Sequence, residues 1–82
     1  MPSRRIVVLY GRPDCHLCDE ARAGLERLRG DGLAFELEEV DIESDDALFK
    51  RFLERIPVIE VDGEVVSELF LDADALRDKL RS

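Results

Sequence analysis

Tyr10-Gly11-Arg12-Pro13-Asp14-Cys15-His16-Leu17-Cys18 is the stretch whose reading decides the fold. It joins an apolar run, Ile6-Val7-Val8-Leu9-Tyr10, to a segment of helical periodicity, and it holds both cysteines of the chain. The run is continuous and rich in β-branched residues, as expected of a strand covered on both faces. Gly11 and Pro13 end it. From Cys15 to Arg29, apolar Leu17, Cys18, Ala21, Leu25 and Leu28 recur at helical spacing with charges between them. Gly30 and Gly32 close that helix.

Phe35 to Ile42 reads as a second strand whose alternation breaks parity at Glu38-Glu39, which a bulge or an exposed edge would equally explain. Ser44 is the expected N-cap of a short second helix, with Asp45 and Asp46 in its first turn and Leu48, Phe49, Phe52 and Leu53 on its apolar face. Pro57 opens a new segment. Val58–Val61 and Glu64–Leu69 flank Asp62-Gly63, a two-residue hairpin signal. Asp72 can cap a last helix that buries Leu76 and Leu80, with Arg77, Lys79 and Arg81 near its end.

The order is strand, helix, strand, helix, hairpin, helix. The first strand–helix–strand unit is expected as a right-handed parallel crossover, and the hairpin adds two antiparallel strands. An α/β fold follows, a four-stranded mixed sheet flanked by three helices in the order βαβαββα. At 82 residues it is expected as one domain over 1–82, large enough for a single core of modest stability.

Composition narrows the function. Charged residues make up 39% of the chain, and no apolar stretch approaches the roughly 20 residues of a spanning helix. Arg4-Arg5 and the short apolar run after them lack the cleavage site of a signal peptide, so a cytoplasmic protein is expected, away from membranes. The net charge of −8 argues against nucleic acid, whose phosphates it would repel. Glu36, Glu38, Glu39, Asp41, Glu43, Asp45 and Asp46 concentrate that acidity; they read as a solvated face, or in a sharper reading as a docking surface for a basic partner.

If the helix begins at Cys15, its sulfur lies beside unpaired backbone N–H groups and the positive end of the helix dipole. Both favour a thiolate, whose pKa in such C-x-x-C settings falls from roughly 8.5 to between about 3.5 and 7.5. Arg12 can add positive charge, and Asp14, as the N-cap, would be occupied by amides. At about 100° per residue, Cys18 falls on the sheet-facing stripe and Cys15 at its edge. Cys15 is thus the expected nucleophile and Cys18 the resolving thiol. His16 points away from the core, where it either tunes the thiolate or is simply exposed. A structural disulfide fits poorly, because so tight a loop constrains the unfolded chain little. A zinc site needs four ligands, and two cysteines with one histidine fall short. A metal or iron–sulfur centre shared between two chains, or a redox-sensing switch, is the alternative to disulfide reductase turnover.

These residues resemble the thioredoxin fold and, within it, the glutaredoxins, most closely a group of small bacterial glutaredoxin-like proteins. The likeness spans nearly the whole chain and rests on Tyr10 to Cys18, on Asp19-Glu20-Ala21 after them, and on Ile56-Pro57-Val58 before the hairpin. It implies a thiol–disulfide oxidoreductase with no bound cofactor, acting as a monomer on protein or small-molecule disulfides. Glutathione or a flavoprotein reductase would recharge it. It also implies a cis Ile56-Pro57 bond facing Cys15, with the backbone N–H and C=O of Ile56 free to pair with a substrate strand. Arg12 matches the basic residue that contacts one end of glutathione, and Leu17 with His16 stands where the family has Pro-Tyr. Where glutaredoxins carry a Gly-Gly pair for the glutathione carboxylate, this chain has Ser67-Glu68, with Asp72 slightly offset from the family's acidic residue.

Overall fold

The computed structural model describes residues 5–81. Strand β1 (Ile6–Gly11) buries Val7 and Leu9 fully, while Val8 and Tyr10 on its other face are only partly covered. Helix α1 (His16–Gly30) follows, then β2 (Glu36–Asp41), a 3-10 turn (Ile42–Ser44), helix α2 (Asp46–Phe52), strands β3 (Val58–Val61) and β4 (Glu64–Glu68), and helix α3 (Ala73–Arg81). The four strands form one sheet in the order β2-β1-β3-β4, with β1 parallel to β2 and the other pairs antiparallel. This is the expected α/β architecture.

Two cores lie on opposite faces of the sheet. On one, Leu25 and Leu28 of α1 and Leu76 of α3 pack on Val7, Leu9, Ile59 and Val61. On the other, Phe52 of α2 packs with Ile42 and Val58, flanked by Tyr10 and Ile56. Because α2 has only seven residues, it covers only part of its face. Ile6 and Val65 accordingly stay exposed.

The register between β1 and β2 runs unbroken from Ile6↔Glu36 to Gly11↔Asp41. The parity break at Glu38-Glu39 is therefore no bulge; β2 is an edge strand. Glu39, on the helix side of that edge, forms an ion pair with Arg22 of α1.

Helix ends correct one sequence expectation and refine another. Ser44 is not the N-cap of α2: its hydroxyl donates to Asp41 O at 2.6 Å, and Asp45 caps the helix by accepting from Ala47 N at 2.8 Å and Leu48 N at 3.2 Å. Any of the consecutive Ser44, Asp45 and Asp46 could cap, and the 3-10 turn before α2 selects the second. Helix α1 closes through Leu33 N to Leu28 O at 3.1 Å and Gly32 N to Arg29 O at 3.0 Å, with Gly32 at φ +102°. That is a Schellman closure, and the left-handed position it requires explains the glycine. Asp72 caps α3 by accepting from Ala75 N at 3.0 Å. In the hairpin, Asp62 (φ 50°) and Gly63 (φ 89°) are both left-handed, the signature of a type I′ turn.

Candidate active site

The turn between β1 and α1 sets the geometry of the cysteines. Cys15, not Asp14, is the N-cap residue of α1, with φ −103° and ψ 106°. Its Sγ accepts from Cys18 N at 3.1 Å, and its carbonyl accepts the first helical bond, from Asp19 N at 3.1 Å. Asp14 stands one residue earlier at φ 61°, a left-handed position that Asp tolerates better than most residues. The capping place expected for its carboxylate is thus filled by sulfur. A sulfur there lies against helix N–H groups and the positive end of the dipole, which favours a thiolate.

The Cα atoms of Cys15 and Cys18 are 5.2 Å apart and their sulfurs are at disulfide distance. Cys18 is 1% exposed, whereas Cys15 is only half-buried at the helix tip. Cys18 lies directly against the end of β1: a Cβ on Gly11 would sit 3.0 Å from its Sγ. Gly11 was legible only as a strand terminator, yet it makes room for the buried thiol.

The Arg12 side chain has partners of its own away from α1. Its Nη2 pairs with Glu43 Oε2 at 2.7 Å, and the group stands 5.8 Å from the Phe49 ring centroid. His16 is exposed and pairs with Glu20 at 3.0 Å, one turn along α1. Leu17, half-exposed, points into a groove beside the helix. Pro57 is buried, and the Ile56–Pro57 peptide bond is cis. The Ile56 N–H donates to Phe52 O at 3.0 Å. The expectation of a free N–H there is therefore wrong: the chain leaving α2 turns back on its last residue and uses the donor itself.

At the end of β4, Glu68 pairs with Arg55 at 3.7 Å, and Ser67 is buried in the sheet opposite Ile59, its hydroxyl lacking a hydrogen-bond partner among the described residues. Leu69 then adopts φ 72°, a conformation that costs a bulky residue roughly 1–3 kcal/mol. Its N–H holds it there by donating to both Pro57 O at 2.9 Å and Arg55 O at 3.0 Å.

One polar pair went unseen in the sequence. Tyr10 OH donates to Glu60 Oε1 at 3.0 Å, with Glu60 only 8% exposed on the central strand β3. Burial first, and then the Glu60 carboxylate, push the Tyr10 hydroxyl above its ordinary pKa. The only available signal was the charge inside Val58-Ile59-Glu60-Val61.

A four-stranded mixed sheet of this order, with a Cys-x-x-Cys pair on the strand-to-helix turn, defines a thioredoxin-fold protein. The glutaredoxin-like domain family (DUF836) matches residues 6–81, and the chain belongs to that family. Among solved structures it is similar to protein Ne2328 from Nitrosomonas europaea, at 33% identity and a TM-score of 0.84, covering 98% of this chain and 95% of that one. Protein XcR50 from X. campestris is similar at 34% identity and a TM-score of 0.74, with 92% of this chain and 95% of that one covered. The thioredoxin-like protein BC3987 aligns at 27% identity and a TM-score of 0.57, over 88% of this chain and 96% of that one. No curated protein matches the chain. Among the described residues, no helix is long and apolar enough to cross a membrane.

Proposed function

We propose that the protein is a cytoplasmic, monomeric thiol–disulfide oxidoreductase that reduces disulfides of proteins or small molecules. One observation carries this reading: a half-exposed Cys15 at the N-cap of α1, with Cys18 buried directly behind it. The Cys15 thiolate attacks a substrate disulfide, breaking its S–S bond, forming a mixed disulfide and releasing one substrate thiol. Cys18 then gives up its proton and displaces the second thiol, leaving the Cys15–Cys18 disulfide. Two electrons have passed from the dithiol to the substrate. Glutathione or a flavoprotein reductase returns them.

The supporting residues take their parts from position. The carbonyl of Ile56 offers backbone for an extended substrate beside the buried Pro57, while the N–H of Ile56 and the carbonyl of Pro57 are already used within the chain. Arg12 is the cation nearest the turn in sequence and can exchange Glu43 for a substrate carboxylate. Leu17 sets the apolar character beside the motif, and His16 with Glu20 its exposed flank.

The test is turnover of a model disulfide, coupled in parallel to glutathione with its reductase and to thioredoxin reductase. Cys15→Ser should abolish turnover, and Cys18→Ser should trap a mixed disulfide visible by mass spectrometry. Disulfide exchange unaffected by either substitution would refute the reading, and the faster coupling identifies the electron donor.

A further inference from the structure

The groove beside α1 starts at Leu17, the residue before Cys18, and runs toward the helix C-terminus. It encloses about 440 Å³, and its walls include Leu17, Ala21 and Gly24 of α1 on one side and Leu69 and Phe70 on the other. Leu17, Leu69 and Phe70 are exposed by 50%, 53% and 61%. Large apolar side chains so exposed and so grouped mark an interaction surface more often than a solvated one.

The far wall is held in place rather than loose. Leu69 is locked in its left-handed conformation by its two backbone bonds. Leu71 is wedged against α1 where Gly24 leaves space, so closely that a Cβ on Gly24 would lie 2.8 Å from Leu71 Cδ2. Asp72 then starts α3. Leu69 and Phe70 are thereby presented outward between two anchored points, a preorganised arrangement that lowers the entropic cost of binding.

Charge in the groove is uneven. Glu20 pairs with His16, and Arg77 with Asp74. Arg27 has no ion-pair partner among the described residues, and Asp31 closes the groove one turn beyond it. From Leu17 to Arg27 is ten residues of helix, about 15 Å at 1.5 Å per residue. An extended peptide covers that in about four to five residues.

We propose that this groove selects the substrate: it binds an extended polypeptide segment whose target cysteine sits at Cys15, whose neighbouring apolar side chain packs on Leu17, Leu69 and Phe70, and whose acidic side chain four to five residues along meets Arg27. This rests on the reductase reading and names its substrate class, a protein disulfide rather than a small thiol. Two features select the occupant: the near end of the groove is Leu17, which lies between the two cysteines in sequence, and Arg27 brings to it a guanidinium unpaired among the described residues. A second copy of a chain with net charge −8 meets self-repulsion instead.

The experiment uses six-residue synthetic peptides, each with one cysteine held as a mixed disulfide with thionitrobenzoate, and follows chromophore release by the fully reduced protein. Peptides carry Leu or Ser beside the cysteine and Glu or Lys at the last position; the mixed disulfide of thionitrobenzoate with mercaptoethanol is the small reference. The Leu/Glu peptide should react about tenfold faster relative to the reference than the Ser/Lys peptide, and Phe70→Ala should remove most of that advantage. Arg27→Glu should reverse the preference between Glu and Lys peptides by about two- to fivefold, as expected of an exposed ion pair. Circular dichroism confirms that each variant is folded. Exchange with the reference but equal rates on all peptides overturns this proposal alone. No exchange even with the reference overturns the reductase reading as well. A concentration-dependent dimer, lost in Phe70→Ala and accompanied by equal peptide rates, assigns the groove to self-association instead.

Discussion

Gly11 and Cys18 pack closely: a Cβ on Gly11 would lie 3.0 Å from Cys18 Sγ and 3.1 Å from its Cβ, so that Cys18 would have to give by a few tenths of an ångström. Gly11 does not have a positive φ. What disfavours a larger residue there is space, not backbone freedom. The contact ties the last residue of the central strand to the buried member of the cysteine pair. A change in the strand is thus felt at the redox site through one van der Waals contact.

Gly11→Ala should therefore push Cys18, and with it the first turn of α1, away from the end of β1. Overpacking of a closed core typically costs about 1–3 kcal/mol, which for a domain of this size lowers the melting temperature by several degrees per kcal/mol. Thermal unfolding of the reduced protein measures that loss. The same variant should lengthen the lifetime of the mixed disulfide at Cys15, because the resolving thiol is moved off line. A melting temperature and lifetime equal to those of the parent would show that Cys18 has more room than its 1% exposure indicates.

Tyr10 is the only tyrosine, and the chain has no tryptophan. Its absorbance near 295 nm thus reports one group. Burial and the Glu60 carboxylate both resist the phenolate, so the alkaline midpoint should lie above the ordinary value of 10.0. The folded value is raised, so the associated stability is full below the unfolded pKa and is lost as pH rises through the folded one. Urea unfolding should show this decline only in the alkaline range above pH 10. Tyr10→Phe removes the donor and leaves Glu60 buried without it, at a cost of about 1–3 kcal/mol near neutral pH. Glu60→Gln should bring the tyrosine midpoint down but not fully to 10, because burial is the larger cause.

The order of elements was legible because each has its own period: a continuous apolar run for β1, helical spacing from Leu17 to Leu28, and a turn dipeptide at Asp62-Gly63. Placement of both cysteines on one strand-to-helix turn followed from that order. The caps were less legible, since Asp14-Cys15 and Ser44-Asp45-Asp46 each offer adjacent candidates, and the backbone entering the helix decides between them. Tertiary partners were not legible at all. Neither Tyr10–Glu60, fifty residues apart, nor the contact of Gly24 with Leu71 leaves a local pattern. The outward turn of Leu69 was hidden too, because an apolar pair following a strand reads as more strand.

Asp45 carries both side-chain hydrogen bonds at the start of α2, to Ala47 N and Leu48 N. A helix of seven residues has little stability of its own, so its cap matters more than in α1. Asp45→Ala should cost about 1 kcal/mol, and Ser44→Ala less, because the Ser44 hydroxyl serves the preceding turn. Chemical denaturation of the two variants compares them directly. A larger loss from Ser44→Ala would return the capping role to the serine.

Gly24→Ala sets two effects of similar size against each other. Alanine in a helix interior is favoured over glycine by about 1 kcal/mol. Against that, the new Cβ would lie 2.8 Å from Leu71 Cδ2, too close for any contact. The clashing atom is the far end of a leucine side chain that is only partly buried, so it can move by rotation rather than by shifting the backbone. Stability should therefore stay within about 1 kcal/mol of the parent, while the segment from Leu69 to Leu71 lifts from α1 and widens the groove beside Leu17. Denaturation midpoints report the first, and the rate advantage of Leu-bearing over Ser-bearing peptides reports the second. A loss of several kcal/mol would mean that Leu71 is wedged too firmly to rotate; an unchanged peptide preference would mean that this wall of the groove does not depend on the contact with Gly24.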